Sequence, residues 1–413
     1  MRDRRRLGPL GCLVALLTAL ATVLAAAPAA ATSPADLPPV TQTLPPGADE
    51  CARRSPLSTD QLPWAQRYLR PEKVWPLTRG DGVTVAVLGS GVDDRAEALS
   101  GRLDLGPKAH GGGNSGDDCV GHGTFTAGLI AAARRADAGF AGLAPEARVL
   151  AVSVTDGLGD TDARLLAKGI DAALDAGVAV IALAVGTPTP SDALKAAVAR
   201  AERDGVPVVA PAAPDASGRD ADTYYPAAYP YVLSVTAVDE AGAPPPAGTG
   251  GGGAPVDLAA PGLGVVSIGP GAGGHLVGGG PSAAAALVAG TAALVRARHP
   301  ELDAPRLVHR LLATASHTGG IQPDPFLGYG IVDPVAAVTA HLPEERGAVV
   351  DTPQGARPSA LPPLPDRSAR GESLAVVAVG AAVVFLVGVA IMVAPRGARR
   401  RWRGGGVWSD GPS

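Results

Sequence analysis

Apolar positions along the chain follow two rhythms. Short β-branched runs bounded by glycine or polar turns alternate with longer segments in which apolar residues recur every three or four positions. Val83-Thr84-Val85-Ala86-Val87-Leu88 is a nearly continuous apolar run, as a strand covered on both faces requires. Val149–Val154, Val178–Val185, Val206–Ala210 and Val232–Val238 read the same way. Helical spacing predicts helices over Thr161–Ala176, Ser191–Asp204 and Ala304–Thr314, a helical entry over Trp64–Val74, and a helix that opens at Gly121 and continues through Ala133. The Ala/Leu/Val stretch after Gly278-Gly279-Gly280 is apolar all round, the mark of a buried helix. Strands alternating with helices imply an α/β domain with a parallel sheet covered by helices on both faces. Ser100–Asp118 is polar and glycine-rich and reads as a long surface loop, and Pro244–Gly253 as a flexible surface insertion. No internal repeat is evident.

The ends add membrane signals. Arg2, Arg4, Arg5 and Arg6 precede an apolar run and the small residues Ala29-Ala30-Ala31, so residues 1–31 read as a signal peptide. Residues 32–60 form an irregular arm, and 61–342 the α/β domain. A Pro-rich linker, 343–373, leads to the uncharged stretch Leu374–Ala394, about the 20 residues needed to cross a bilayer. Arginines 396, 399, 400, 401 and 403 follow, which makes 395–413 a cytoplasmic tail and places the main domain outside the cell membrane. The net charge of −4 gives no reason to expect a nucleic-acid partner. Of three cysteines, Cys12 falls in the signal; Cys51 and Cys119 remain in an oxidising compartment, where one disulfide is the simplest outcome.

Ser282 sits where the glycine-rich turn meets the apolar helix. Alone it is a good helix N-cap. The surrounding run Gly280-Pro281-Ser282-Ala283-Ala284-Ala285-Ala286-Leu287-Val288-Ala289-Gly290 resembles the nucleophile helix of subtilisin-like serine proteases, Gly-Thr-Ser-x-Ala-x-Pro-x-Val-Ala-Gly, with Pro281 and Ala286 as departures. Such an enzyme needs a serine nucleophile, a histidine base, a carboxylate that fixes the histidine tautomer, and donors for the oxyanion. Gly121-His122-Gly123-Thr124-Phe125-Thr126-Ala127-Gly128 matches the family's histidine motif and assigns His122 to the base position.

The other two requirements fail. The first strand ends Val87-Leu88-Gly89-Ser90-Gly91-Val92-Asp93, so Gly89 stands where the resemblance places the catalytic aspartate. Asp93 and the following Asp94 lie beyond the strand end, and a substitute role for either is left open. After the later strand the family carries an oxyanion asparagine. Val208-Val209-Ala210-Pro211-Ala212-Ala213-Pro214-Asp215 offers Pro214 or Asp215 there, depending on a one-residue shift, and neither ionised aspartate nor proline donates. Ala182 and Ala184 replace polar residues of the cleft strand. Loss of the carboxylate alone costs about 10⁴ in kcat in well-studied triads.

Further segments resemble the mycosins, membrane-anchored subtilases associated with type VII secretion: Asp118-Cys119 before the histidine motif, Phe140–Pro145, Tyr225–Pro230, Val256–Gly262 and Leu327–Pro334. The resemblance implies the subtilisin-like fold, a Cys51–Cys119 disulfide, and a place near the type VII secretion membrane complex. The expected function is a mycosin-like subtilase homologue, catalytically inactive, with a structural or binding role and a peptide or protein ligand. The alternatives are a weak or specialised serine endopeptidase using His122 and Ser282, and a peptide-binding module with no link to secretion. The reading includes no cofactor and no metal.

Overall fold

The structure, a computed structural model, describes residues 33–346 apart from 53, 136–137, 216–222, 246–253 and 318–321. The expected signal peptide, the transmembrane stretch 374–394, the basic tail, most of the linker and most of the 244–253 insertion lie outside the described residues. Among the described residues no helix is long and apolar enough to cross a membrane.

Seven strands form one parallel sheet in the order β2-β3-β1-β4-β5-β6-β7. They are β1 (Thr84–Gly89), β2 (Leu103–Lys108), β3 (Arg148–Ser153), β4 (Val180–Leu183), β5 (Val208–Pro211), β6 (Val232–Val238) and β7 (Leu258–Pro261). A separate antiparallel pair joins β8 (Val265–Ile268) to β9 (His275–Gly278). The helices are α1 (Trp64–Leu69), α2 (His122–Ala131), α3 (Ala163–Asp175), α4 (Asp192–Arg203), α5 (Pro281–Arg298), α6 (Ala304–Ala313) and α7 (Pro334–Thr339).

Side-chain alternation along β1 divides the core in two. Val85 and Val87 face the layer built around α2 and α5, while Ala86 and Leu88 face α3 and α4. That division is why the central strands read as continuous apolar runs. Helix α5 is buried from Pro281 to Val295, and its alanines let it lie close against β4, β5 and β6.

Several expectations need correction. The supposed loop 100–118 contains β2, an edge strand that runs parallel to β3; its exposed positions, with Pro107 near the end, mask the period-two pattern. The helical entry over Trp64–Val74 breaks after Leu69. Arg70 is left-handed at φ 52°, and Pro71 starts a separate 3₁₀ turn, Pro71–Lys73. Strands β7, β8 and β9 and helix α7 were not expected; each is short and bounded by glycine or proline.

The arm is tied to the domain. Val40 N–H donates to Val277 O at 2.8 Å, Val277 N–H to Pro38 O at 3.0 Å, and Leu44 N–H to Leu158 O at 2.8 Å. Cys51 and Cys119 form a disulfide with a Cα–Cα distance of 4.5 Å, beside a bond from Ala52 N–H to Cys119 O at 2.8 Å.

Candidate functional site

The site lies at the carboxyl ends of β1, β4 and β5, the usual position for chemistry in an open parallel sheet. Helix α5 brings Ser282 to it. Gly280, not Ser282, is the N-cap of α5, and Ser282 is the second helical residue. Its hydroxyl therefore does not cap the helix but faces His122, with Oγ 3.1 Å from Nε2. His122 is the first residue of α2, set there by Gly121 in the left-handed region at φ 87°. Both side chains are sealed from solvent: Ser282 is 0% exposed and His122 3%.

Of the two residues offered for the oxyanion position, Asp215 is the one that reaches the serine. Ser282 N–H donates to Asp215 Oδ1 at 2.8 Å, and the Ser282 hydroxyl donates to Oδ2. His122 Nε2 lies 3.2 Å from the same Oδ2. Gly280 makes this approach possible, because a Cβ there would stand 2.3 Å from Asp215 Oδ1. The other face of the imidazole is bare. Nδ1 is buried and has no hydrogen-bond partner among the described residues. At the end of β1, Gly89 supplies no side chain, and Ala184 has closed in: a Cβ at Gly89 would meet Ala184 Cβ at 3.1 Å and Gly123 Cα at 3.6 Å.

This arrangement has a chemical consequence. A proton on Nε2 can be shared in a hydrogen bond with Asp215 Oδ2, whereas a proton on Nδ1 has no acceptor among the described residues. The neutral ring is thereby favoured with its proton on the nitrogen that must be empty to take one from serine. The Ser282 backbone N–H, which could donate to an oxyanion, is already taken by a carboxylate.

Neither Asp93 nor Asp94 substitutes for the missing group. Asp93 is engaged by Arg95 Nε at 2.8 Å and by Gly271 N–H at 2.8 Å. Burial alone would raise its carboxyl, but the bonds and charge of Arg95, with Gly271, outweigh that and hold it below the usual range. Asp94 sits on the exposed side of the same turn, 4.0 Å from Arg95.

Sequence reasoning missed the role of Asp118. It accepts from Ser90 Oγ at 2.7 Å, Gly121 N–H at 2.8 Å, and Thr124 N–H and Oγ1 at 2.7 and 2.6 Å. Ser90 Oγ in turn accepts from Gly123 N–H at 2.9 Å, so the start of α2 is pinned to the end of β1. An acidic residue just ahead of a helix start was the available signal. Burial pushes the Asp118 carboxyl up, and the bonds from Thr124, Ser90 and Gly121 only partly offset it. Because its folded pKa is raised, its contribution to stability falls as pH climbs from about 3.9, the ordinary value, toward the folded value. Asp118→Asn should remove that slope and, by presenting an amide where donors converge, cost about 1–3 kcal/mol. Urea unfolding of both proteins at pH 4 and pH 7 reads both effects.

A cavity of about 230 Å³ adjoins the site. Its walls include Ala184, Val185, Pro211 and Ala213, with Gln42 and Thr43 contributed by the arm. Gln42 Nε2 donates to Gly279 O at 3.4 Å, just before α5. Nothing in the composition of the arm announced that contact.

The profile of the Subtilase family, peptidase S8, matches residues 80–330. The chain belongs to the subtilase family, in its mycosin group. Mycosin-1 of Mycolicibacterium smegmatis is 32% identical over 397 residues, covering 82% of this chain and 85% of the relative. Mycosin-3 of Mycobacterium tuberculosis is 33% identical, covering 80% and 84%. Among solved structures, MycP1 from the ESX-1 type VII secretion system is similar with a TM-score of 0.62 at 28% identity, over 75% of this chain and 97% of that one. MycP3 protease from the type VII (ESX-3) system gives 0.61 at 30% identity, over 75% and 100%. The fold is thus the subtilisin-like α/β fold. As a subtilase, this chain keeps the serine and histidine in contact, has no carboxylate at Nδ1 among the described residues, and carries one against Nε2 instead.

Proposed function

We propose that this mycosin-group subtilase does not hydrolyse peptide bonds and serves as a structural or binding element at a type VII secretion complex, held at the cell membrane by Leu374–Ala394 with its main domain outside and its C-terminus cytoplasmic. The observation that carries the inactivity is the position of Asp215, which takes the Ser282 N–H and hydroxyl and contacts His122 Nε2. A tetrahedral intermediate would have to place its oxyanion against that carboxylate. The link to secretion rests on relatives, one of whose structures is described as a serine protease essential to the type VII (ESX-1) system.

A second reading, a weak or specialised endopeptidase, is favoured by one distance: Ser282 Oγ and His122 Nε2 are 3.1 Å apart, within reach for proton transfer. The two readings part in cells. With a chromosomal Ser282→Ala allele, secretion through the type VII system should match wild type, while deletion of the gene should abolish it. Loss of secretion in Ser282→Ala, with the protein present at normal level, would favour the endopeptidase.

A further inference from the structure

Asp215 is a buried carboxylate, 7% exposed, that lines the cavity beside the site. Among the described residues no salt bridge joins it to lysine or arginine; its one ion-pairing neighbour is His122. A carboxylate offers about four acceptor positions. Three are used here: Ser282 N–H on Oδ1, and the Ser282 hydroxyl and His122 Nε2 on Oδ2. One acceptor position remains, on Oδ1, and among the described residues the negative charge has no fixed cation.

The described residues that line the cavity include no lysine, arginine or second carboxylate. Ala184, Val185, Pro188, Pro211, Ala213 and Pro214 make its walls largely aliphatic. Such walls suit an alkyl stem, and the free oxygen position suits a compact cationic donor. A guanidinium binds best across both carboxylate oxygens, and Oδ2 already receives two contacts. Carboxylates are repelled, and a neutral side chain leaves the buried charge uncompensated.

We propose that the altered catalytic cleft is a recognition pocket for a primary ammonium on an alkyl stem, namely a lysine side chain presented by a partner polypeptide, with Asp215 as its counter-ion. This rests on the reading that the cleft binds rather than cleaves. The substitution that removes the oxyanion donor thus also creates a selectivity determinant.

The test titrates full-length protein in detergent micelles with N-acetyl-lysine N-methylamide, and with the norleucine and arginine analogues, by calorimetry. The lysine probe should bind at least tenfold tighter than either analogue, weaken as salt rises, and lose its preference in Asp215→Asn, which keeps side-chain size. Equal binding of lysine and norleucine probes to wild type overturns the proposal without reference to any variant. So does a lysine preference that survives in a folded Asp215→Asn protein. Fluorophosphonate labelling of the same sample separates the two claims. Ser282-dependent label together with lysine preference would remove the inactivity and keep the pocket; no label and no lysine preference would remove the pocket alone.

Discussion

Combining Gly89→Asp with Asp215→Asn should raise peptide-bond hydrolysis over wild type by a factor on the order of 10³ or more, while either change alone should gain less than tenfold. Gly89→Asp restores a carboxylate at the position where the subtilase pattern has one, and His122 Nδ1 lacks a partner among the described residues. By itself it leaves Asp215 against Ser282 N–H and His122 Nε2, so the oxyanion is still opposed. Asp215→Asn replaces that charge with a donor, yet leaves the imidazole without its orienting acid. Triad carboxylates are worth about 10⁴ and single oxyanion donors about 10²–10³. Groups that act as a unit do not multiply, which sets the expectation below the product of the two. The new side chain must also displace Ala184, whose Cβ lies 3.1 Å from the position of a Cβ at residue 89. Adding Ala184→Gly should therefore raise the rate of the double variant further. Hydrolysis of a chromogenic peptide by the single, double and triple variants checks the whole series, and a large gain from Gly89→Asp alone would show that Asp215 is no obstacle.

The largest stability effect is expected from the disulfide. Cys51→Ala with Cys119→Ala opens a loop with a sequence separation of 68, worth about 4 kcal/mol in the chain-entropy account. The loss should be accompanied by release of the arm, because the bridge lies between the arm and the segment that leads to His122. Urea unfolding should report the lowered stability, and limited proteolysis should cut first between residues 33 and 60. A midpoint shift without earlier cleavage of the arm would mean that the contacts of Val40, Leu44 and Gln42 hold it unaided.

The central sheet and α5 were legible because each is covered on all sides, so burial imposes an uninterrupted apolar pattern on Val83–Leu88 and on Ala283–Val295. At the edge the same rule fails. Only part of β2 is shielded, and Asp104, Gly106 and Pro107 hide it. The site was half legible. His122 and Ser282 stand in local motifs that survive in sequence, and the absence of a carboxylate at Gly89 is equally visible. Sequence narrowed the oxyanion position to Pro214 or Asp215 and showed that neither would donate to a developing charge. It could not disclose that Asp215 folds back onto a serine 67 positions away, because that contact depends on the missing Cβ at Gly280 and on the packing of α5. The arm poses the same problem: Gln42 reaches Gly279 across 237 positions through a contact no local pattern encodes.

The decisive measurement is fluorophosphonate labelling of the full-length protein, with wild type beside Ser282→Ala and beside Gly89→Asp/Asp215→Asn. A serine held by the Asp215 carboxylate and facing a histidine in the wrong tautomer should take up no label that Ser282→Ala removes, while the double variant should label at Ser282. Strong labelling of wild type, lost in Ser282→Ala and no weaker than that of the double variant, would contradict the account and make this chain a working protease.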